Sequence, residues 1–598
     1  MSPSIPGQPH RYRPEEVEAL RAKYRLERDR RIRPEGTGQY RRAAGEFGHF
    51  ATDPYTERAE RAPATDVVEA VVIGGGFGGL LAGARLRQAG LRTIRTIDEA
   101  GDFGGTWYWN RYPGVHCDVE STVYMPLLEE VGYVPKWRYA PGEEIRQHAV
   151  AIAKQFDLYA DALFHTRVTE LRWDDDAAEW QVTTDRGDAF RTRYVVISSG
   201  TLSQPKLPGI PGIETFRGHT FHTSRWDYGY TGEDLGRLAD KKVGVVGTGA
   251  SGIQVIPEVG GAAQHLYVFQ RTPSTVDVRD NRPIDPAWAE TLKPGWQRER
   301  MENFLTIVTG DHADEDLIDD GWTSTARLQR NMLTGTLDPT ISAEEREYLD
   351  DLADFRKMDE IRARVDQVVE DPATAELLKP WYRYMCKRPG FSDVYLPTFN
   401  RPNVTLVDTA DTGGITRMTE TGVVVGEQEY EVDCVIFATG FEVGVSGVIS
   451  GTLPVYGRGG TTLLDHWGSG PRTLHGVYSH GFPNLFHLGS LQNAASVNFV
   501  HVLQEQATHI GAVVAEARRR DARRIEPTAE AEQRWVDTIR ETAPENYTFR
   551  AECTPGYYNG EGKPRPVNQS FGPGPTVFHD LLRRWRAEGG PDEVLANG

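Results

Sequence analysis

The chain has 598 residues, 39% of them hydrophobic and 26% charged, with a mean hydropathy of −0.50; this is the make-up of a water-soluble globular protein of roughly three or four domains. Its 67 Lys and Arg against 86 Asp and Glu leave a net charge of −19, which argues against non-specific binding to nucleic acid or to an anionic membrane. Cys117, Cys386, Cys434 and Cys553 form no CxxC pair, so zinc and dithiol-redox readings lack support and a reducing cytoplasm is the expected compartment.

Residues 1–62 are rich in charge and poor in apolar residues, with no apolar core of a secretory signal. They are expected to form an N-terminal extension of short helices or an arm, a solvated tail being the alternative. Residues 63–200 read as the first part of a nucleotide domain. There Val71-Val72-Ile73 runs into Gly74-x-Gly76-x-x-Gly79, a helical pattern follows as far as Gly90, and a second strand ends in Asp98, 19 residues after Gly79. This stretch is too rich in glycine to span a membrane.

A second unit of the same kind is expected over 201–280. Val243-Gly244-Val245-Val246 leads into Gly247-Thr248-Gly249-Ala250-Ser251-Gly252, and the next strand ends in Gln270-Arg271-Thr272. Amphipathic charged segments over 281–384 predict an inserted helical subdomain. Strand-like runs then return, with 385–432 as the second part of the second nucleotide domain. Residues 433–598 are assigned to the second part of the first domain and a C-terminal region. The expected fold is therefore α/β: two Rossmann-like dinucleotide-binding domains, an inserted helical subdomain and the N-terminal extension.

A glycine turn between strand and helix lets the backbone approach a pyrophosphate at a helix N-terminus. The two strand ends then discriminate. A carboxylate at Asp98 accepts ribose hydroxyls and repels a 2′-phosphate; Gln270-Arg271 removes the repulsion and offers a cation. The first site reads as FAD and the second as NADPH. Hydride passes from NADPH to flavin, and electrons pass from there to an acceptor: a disulfide, a quinone or oxygen. The absence of CxxC disfavours the disulfide, and oxygen leads.

Phe216-x-Gly218-x-x-x-His222-x-x-x-Trp226-Asp227 resembles the FxGxxxHxxxW[P/D] fingerprint of the type I Baeyer–Villiger monooxygenases, and it lies between the glycine loops as in that family. The run from Gly104 to Asp118 is similar to the family's GGxWxxxxYPGxxxD segment. Further matches stand at 198–212, 269–273, 386–404, 438–441 and 481–490, so the resemblance covers about 67 to 570. It implies a C4a-peroxyflavin attacking a ketone to give an ester or lactone. Arg388 is then the active-site arginine, oriented by Asp118. Arg271, Thr272 and Lys387 surround the NADP 2′-phosphate, and His222 is structural. Gly105, Thr106, Trp107, Asp118 and Tyr124 join the FAD site. The partners implied are a small-molecule ketone and O2, with no obligate protein partner.

The extension resembles that of longer members acting on bulky cyclic or terpenoid ketones. Near the C-terminus, Cys553-Thr554-Pro555-Gly556-Tyr557-Tyr558-Asn559 lacks the tryptophan of the shorter members, so no contact is transferred to it. A broad-specificity ketone monooxygenase is one alternative. An N- or S-oxygenating flavin monooxygenase, disfavoured by Trp226-Asp227 and Lys387-Arg388, is another. A non-catalytic redox sensor is the third.

Overall fold

The computed structural model describes residues 12–334, 342–443, 451–468, 470–543, 547–563 and 570–596; the first 11 residues of the expected extension lie outside them. Two sheets organise the chain. The first has seven strands, and in it Val67–Ile73 is paired in parallel with the edge strand Ile94–Ile97 on one side and Ala189–Ile197 on the other. Val67–Ile73 is β-branched and apolar, and from Ala70 to Ile73 it is buried throughout, as a strand covered on both faces requires. The second sheet is five parallel strands, in the order Val404–Asp408, His265–Gln270, Lys242–Val246, Cys434–Phe437 and His219–His222.

The C-terminal part does return to the first sheet: Leu485–His487 pairs with Ala189–Ile197. Helix Phe499–Arg519 then lies on helix Phe77–Gln88. Their backbones approach so closely that a Cβ on Gly511 would meet the Arg85 Cβ at 2.8 Å. One expected boundary needs correction. Cys434–Phe437 was assigned to the first domain, yet it pairs with Lys242–Val246 and His219–His222. An apolar run alone does not say which of two parallel sheets receives it; the ladder does.

The inserted region is helical as expected, with Trp296–Val308, Gly321–Thr334, Ala343–Val368 and Pro372–Leu378. The extension is no solvated tail over its described part. Helix Pro14–Asp29 buries Val17 and Tyr24 against Phe355. Strand Tyr40–Arg42 pairs antiparallel with Lys206–Pro208. Phe47 and Phe50 enter the core of the second sheet beside Val435 and Phe437. Each of these side chains contributes roughly 1.5–3 kcal/mol of burial, enough to hold an arm of low overall hydropathy. Among the described residues no helix is long and apolar enough to cross a membrane.

Cys386 and Cys553 are joined by a disulfide, while Cys117 and Cys434 are free and buried. The spacing of 167 residues carried no hint of this bond. It ties the loop before Lys387 to the C-terminal segment. Cys553→Ser is expected to lower the melting temperature by a few degrees, in line with the ~2–4 kcal/mol typical of a disulfide. Calorimetry with and without reductant measures this; an unchanged melting temperature would show that the bond carries no stability.

Candidate functional site

Residues that follow the carboxyl ends of strands in both sheets line one cleft of about 900 Å³. This is where open α/β sheets bind ligands. Of the sequence-predicted residues, Gly74, Gly76, Asp98, Gly105, Thr106, Trp107, Asp118 and Tyr124 line it from the first unit. Gly247, Thr248, Gly249, Ser251, Arg271, Thr272, Lys387 and Arg388 line it from the second. Gly79 and Gly252 stand behind it. A Cβ on Gly79 would sit 1.8 Å from the Gly74 carbonyl oxygen, and one on Gly252 2.3 Å from that of Gly247. Both are glycine because a helix leaves a strand there with no room between them.

In the first lobe, Gly105 has φ +53°, and a Cβ on it would meet the Gly76 Cα at 2.6 Å. The two glycine segments thus touch backbone to backbone, leaving the amino end of helix Phe77–Gln88 facing the cleft. Asp98 accepts hydrogen bonds from the amides of Gly75 and Ala100. Burial raises its carboxyl above the usual range, against the pull of those two donors. Trp107 Nε1 donates to the Tyr124 hydroxyl at 3.0 Å. A glycine cradle, an open helix end and a carboxylate at the strand tip fit FAD.

In the second lobe, Arg271 Nη2 donates to Glu561 Oε2 at 2.8 Å, and Lys206 Nζ stands 3.8 Å from Glu561 Oε1. Thr272 Oγ1 is buried with no hydrogen-bond partner. Burial, and then the neighbouring charges of Arg271, Arg31 and Lys206, depress the Lys387 ammonium to about 7, with Glu561 opposing. Three cations against one carboxylate, beside an unsatisfied hydroxyl, fit the phosphate-bearing end of NADP.

Where the lobes meet, Arg388 holds Asp118 in a two-point fork: Nε to Oδ2 at 2.6 Å and Nη2 to Oδ1 at 2.8 Å. Burial works against both charges, but each outweighs it for the other. The Asp118 carboxyl lies below its usual value and the Arg388 guanidinium above. The guanidinium lies over the Trp322 ring, 4.9 Å from its centre, and Trp322 Nε1 donates to the Asp118 carbonyl at 2.8 Å. Arg279 caps the neighbouring carbonyl of Cys117.

His222 is buried, and desolvation pushes it down to about 3. Its Nδ1 accepts from the Ser224 amide, which leaves Nε2 to donate to the Gly440 carbonyl at 3.1 Å. A neutral ring pinned at both nitrogens ties the fingerprint to the strand Cys434–Phe437 side of the sheet; it is not an acid–base group. Trp322, Glu561, Gln39 and Tyr557 are cleft or support residues that sequence reasoning missed. Trp322 sits in an otherwise ordinary amphipathic helix. Glu561 and Tyr557 lie in the stretch from Cys553 to Pro564 where the match to shorter members broke down.

The Lys387 shift is open to test by pulse acetylation across pH with peptide mass spectrometry. The amine is expected to become reactive with a midpoint near 7, so it labels ahead of surface lysines at mildly alkaline pH. A midpoint at the ordinary lysine value of about 10.4 would refute the charge crowding.

A family model described as pyridine nucleotide-disulphide oxidoreductase matches residues 71–315. The chain is 58% identical to a Baeyer-Villiger monooxygenase of Streptomyces coelicolor, over 98% of this chain and 97% of that protein. It is 52% identical to a pentalenolactone D synthase of Streptomyces arenae, over 96% and 98%. The solved polycyclic ketone monooxygenase of the thermophilic fungus Thermothelomyces thermophila superposes with a TM-score of 0.89 at 40% identity, covering 97% of this chain and 98% of that one.

Proposed function

The chain belongs to the type I Baeyer–Villiger monooxygenases, enzymes that use NADPH and FAD, and from that premise we propose that Arg388, held by Asp118, is the cation that governs oxygen insertion beside the carbonyl of a polycyclic terpenoid ketone. When bound, FAD reduced by NADPH supplies the activated oxygen. The chain supplies the field in which that oxygen reacts.

A guanidinium cannot release its proton at working pH, so it stabilises negative charge without quenching a nucleophile. Its two-point grip on Asp118 aims the remaining N–H donors at the cleft. Negative charge that develops on the carbonyl oxygen under attack falls within reach of that fixed cation. The observation that carries this reading is the Arg388–Asp118 fork itself, set among the glycine loops of both nucleotide units on one cleft. Arg271, Thr272 and Lys387 are proposed to take the 2′-phosphate, and Asp98 the ribose of FAD. Leu491, Val497, Phe499, Phe441 and Tyr557 line the same cleft and offer the apolar wall a bulky ketone needs.

The substrate proposed is a polycyclic sesquiterpenoid keto acid such as 1-deoxy-11-oxopentalenate, giving pentalenolactone D. It is supported by the likeness to pentalenolactone D synthase and to the polycyclic ketone enzyme. The need for NADPH supports a cytoplasmic location, with the ketone and O2 as the small-molecule partners.

Arg388→Ala is expected to cut product formation by at least ~10²-fold, while NADPH is still consumed without product. Product and coenzyme oxidation are followed together, under oxygen-18, with a polycyclic keto acid and a monocyclic ketone. The expected lactone carries one labelled oxygen and forms faster from the polycyclic compound. Normal oxygenation by Arg388→Ala would refute the role of the arginine; equal turnover of both ketones would favour a broad-specificity enzyme.

A further inference from the structure

The N-terminal arm reaches the cleft at the second lobe. Gln39, 7% exposed, donates through Nε2 to the Gly36 carbonyl at 2.7 Å, which fixes its amide so that Oε1 faces Arg271. Arg271 Nη1 donates to that Oε1 at 2.8 Å. Arg31 is buried, is paired with Glu27, and donates from Nε to the Arg271 carbonyl at 2.8 Å. The Lys206 ammonium stands 3.9 Å from the centre of the Tyr40 ring. Antiparallel pairing of Tyr40–Arg42 with Lys206–Pro208 locks these contacts in register. Lys563, two residues beyond Glu561, closes the arm from the other side by donating to the Pro34 carbonyl.

Arg271 is therefore gripped from three directions: Gln39 and Arg31 from the arm, and Glu561 from the C-terminal segment. We propose that the arm is part of the coenzyme-recognition site, with Gln39 and Arg31 as positioning residues that hold Arg271 for the 2′-phosphate and so set the preference for NADPH over NADH. The inference rests on the reading of Arg271 as a phosphate ligand.

The charges fit. Arg271 and Lys206 against Glu561 leave one excess positive charge in the lobe, and Lys387, depressed to about 7, adds a second as it takes up a proton beside the phosphate. A phosphate monoester at neutral pH carries about −1.5 to −2. A guanidinium free to rotate pays conformational entropy each time it takes a phosphate in two-point geometry; one held on its far side by Gln39 does not. Gln39 and Arg31 act through Arg271, so their effect falls on the phosphate by which the two coenzymes differ.

The test is the affinity of the FAD-loaded enzyme for NADP⁺ and for NAD⁺, measured by calorimetric titration, with 2′,5′-ADP and 5′-AMP as the phosphate-bearing and phosphate-free fragments. Gln39→Leu removes the acceptor at nearly constant volume. It is expected to raise the Kd for NADP⁺ and 2′,5′-ADP about tenfold, the usual effect of losing one hydrogen bond to a charged group. The Kd for NAD⁺ and 5′-AMP is expected to stay within about twofold. Arg31→Gln is read in the same way and serves if Gln39→Leu does not fold. A merely structural arm would weaken all four ligands alike or none, and either result overturns the proposal. Arg271→Ala separates the two levels. If it keeps the NADP⁺/NAD⁺ affinity ratio, the phosphate assignment itself falls. If it collapses that ratio while the Gln39 and Arg31 variants keep it, only the role of the arm falls.

Discussion

The cleft depends on one ion pair, between residues 270 positions apart in the chain. Asp118 comes from the first nucleotide unit and Arg388 from the loop that follows the helical insertion. Neither charge is comfortable there, since burial disfavours both ionised forms. Their two-point contact offsets that cost. For a fully buried pair, removing one partner costs roughly 3–5 kcal/mol; here about a quarter of each side chain remains exposed, so the penalty is smaller. What the pair secures is direction. The guanidinium is planar and forked, and fixing one edge on a carboxylate fixes where the other edge points. Trp322 below it and the carbonyl contact from Trp322 Nε1 prevent the pair from tilting.

The rest of the molecule can be understood as the support of that pair and of the two nucleotide turns on either side. The glycine turns are rigid because their neighbours touch them at backbone distance, as the contacts at Gly74, Gly79 and Gly252 show. The helical insertion supplies Trp322. The disulfide from Cys386 to Cys553 anchors the residue two before Arg388 to the segment that bears Tyr557 and Glu561. Electrostatics divides the cleft. The first lobe carries a half-buried carboxylate at the strand end, while the second gathers cations with one carboxylate among them. Each lobe thereby suits the adenosine end of one dinucleotide, FAD with a free ribose 2′-hydroxyl and NADP with a 2′-phosphate.

Segments from the N-terminal arm and from the C-terminal region converge on Arg271. Gln39 and Arg31 arrive from the beginning of the sequence and Glu561 from near its end. An arm added to an already complete pair of nucleotide folds would be expected to stabilise them by apolar burial, and Val17, Tyr24, Phe47 and Phe50 do so. Among its polar residues, Gln39 and Arg31 are buried against Arg271 rather than turned to solvent.

What could be read from the chain alone was local. Gly74-x-Gly76-x-x-Gly79 and Gly247-x-Gly249-x-x-Gly252 specify strand, turn and helix through steric rules that act within a few residues, and Asp98 and Arg271 follow them at a distance set by one helix. The cofactors and the two-unit α/β fold were legible for that reason, whereas Asp118 and Arg388 became candidates only through the resemblance of their segments to a family. The partnering of distant segments was not. Whether Cys434–Phe437 joins the first sheet or the second, whether Cys386 meets Cys553, and whether Gln39 or Glu561 reaches Arg271 depend on packing between elements hundreds of residues apart. Short-range periodicity holds no record of such contacts; only the tertiary structure, where burial makes most polar groups find a partner, decides them.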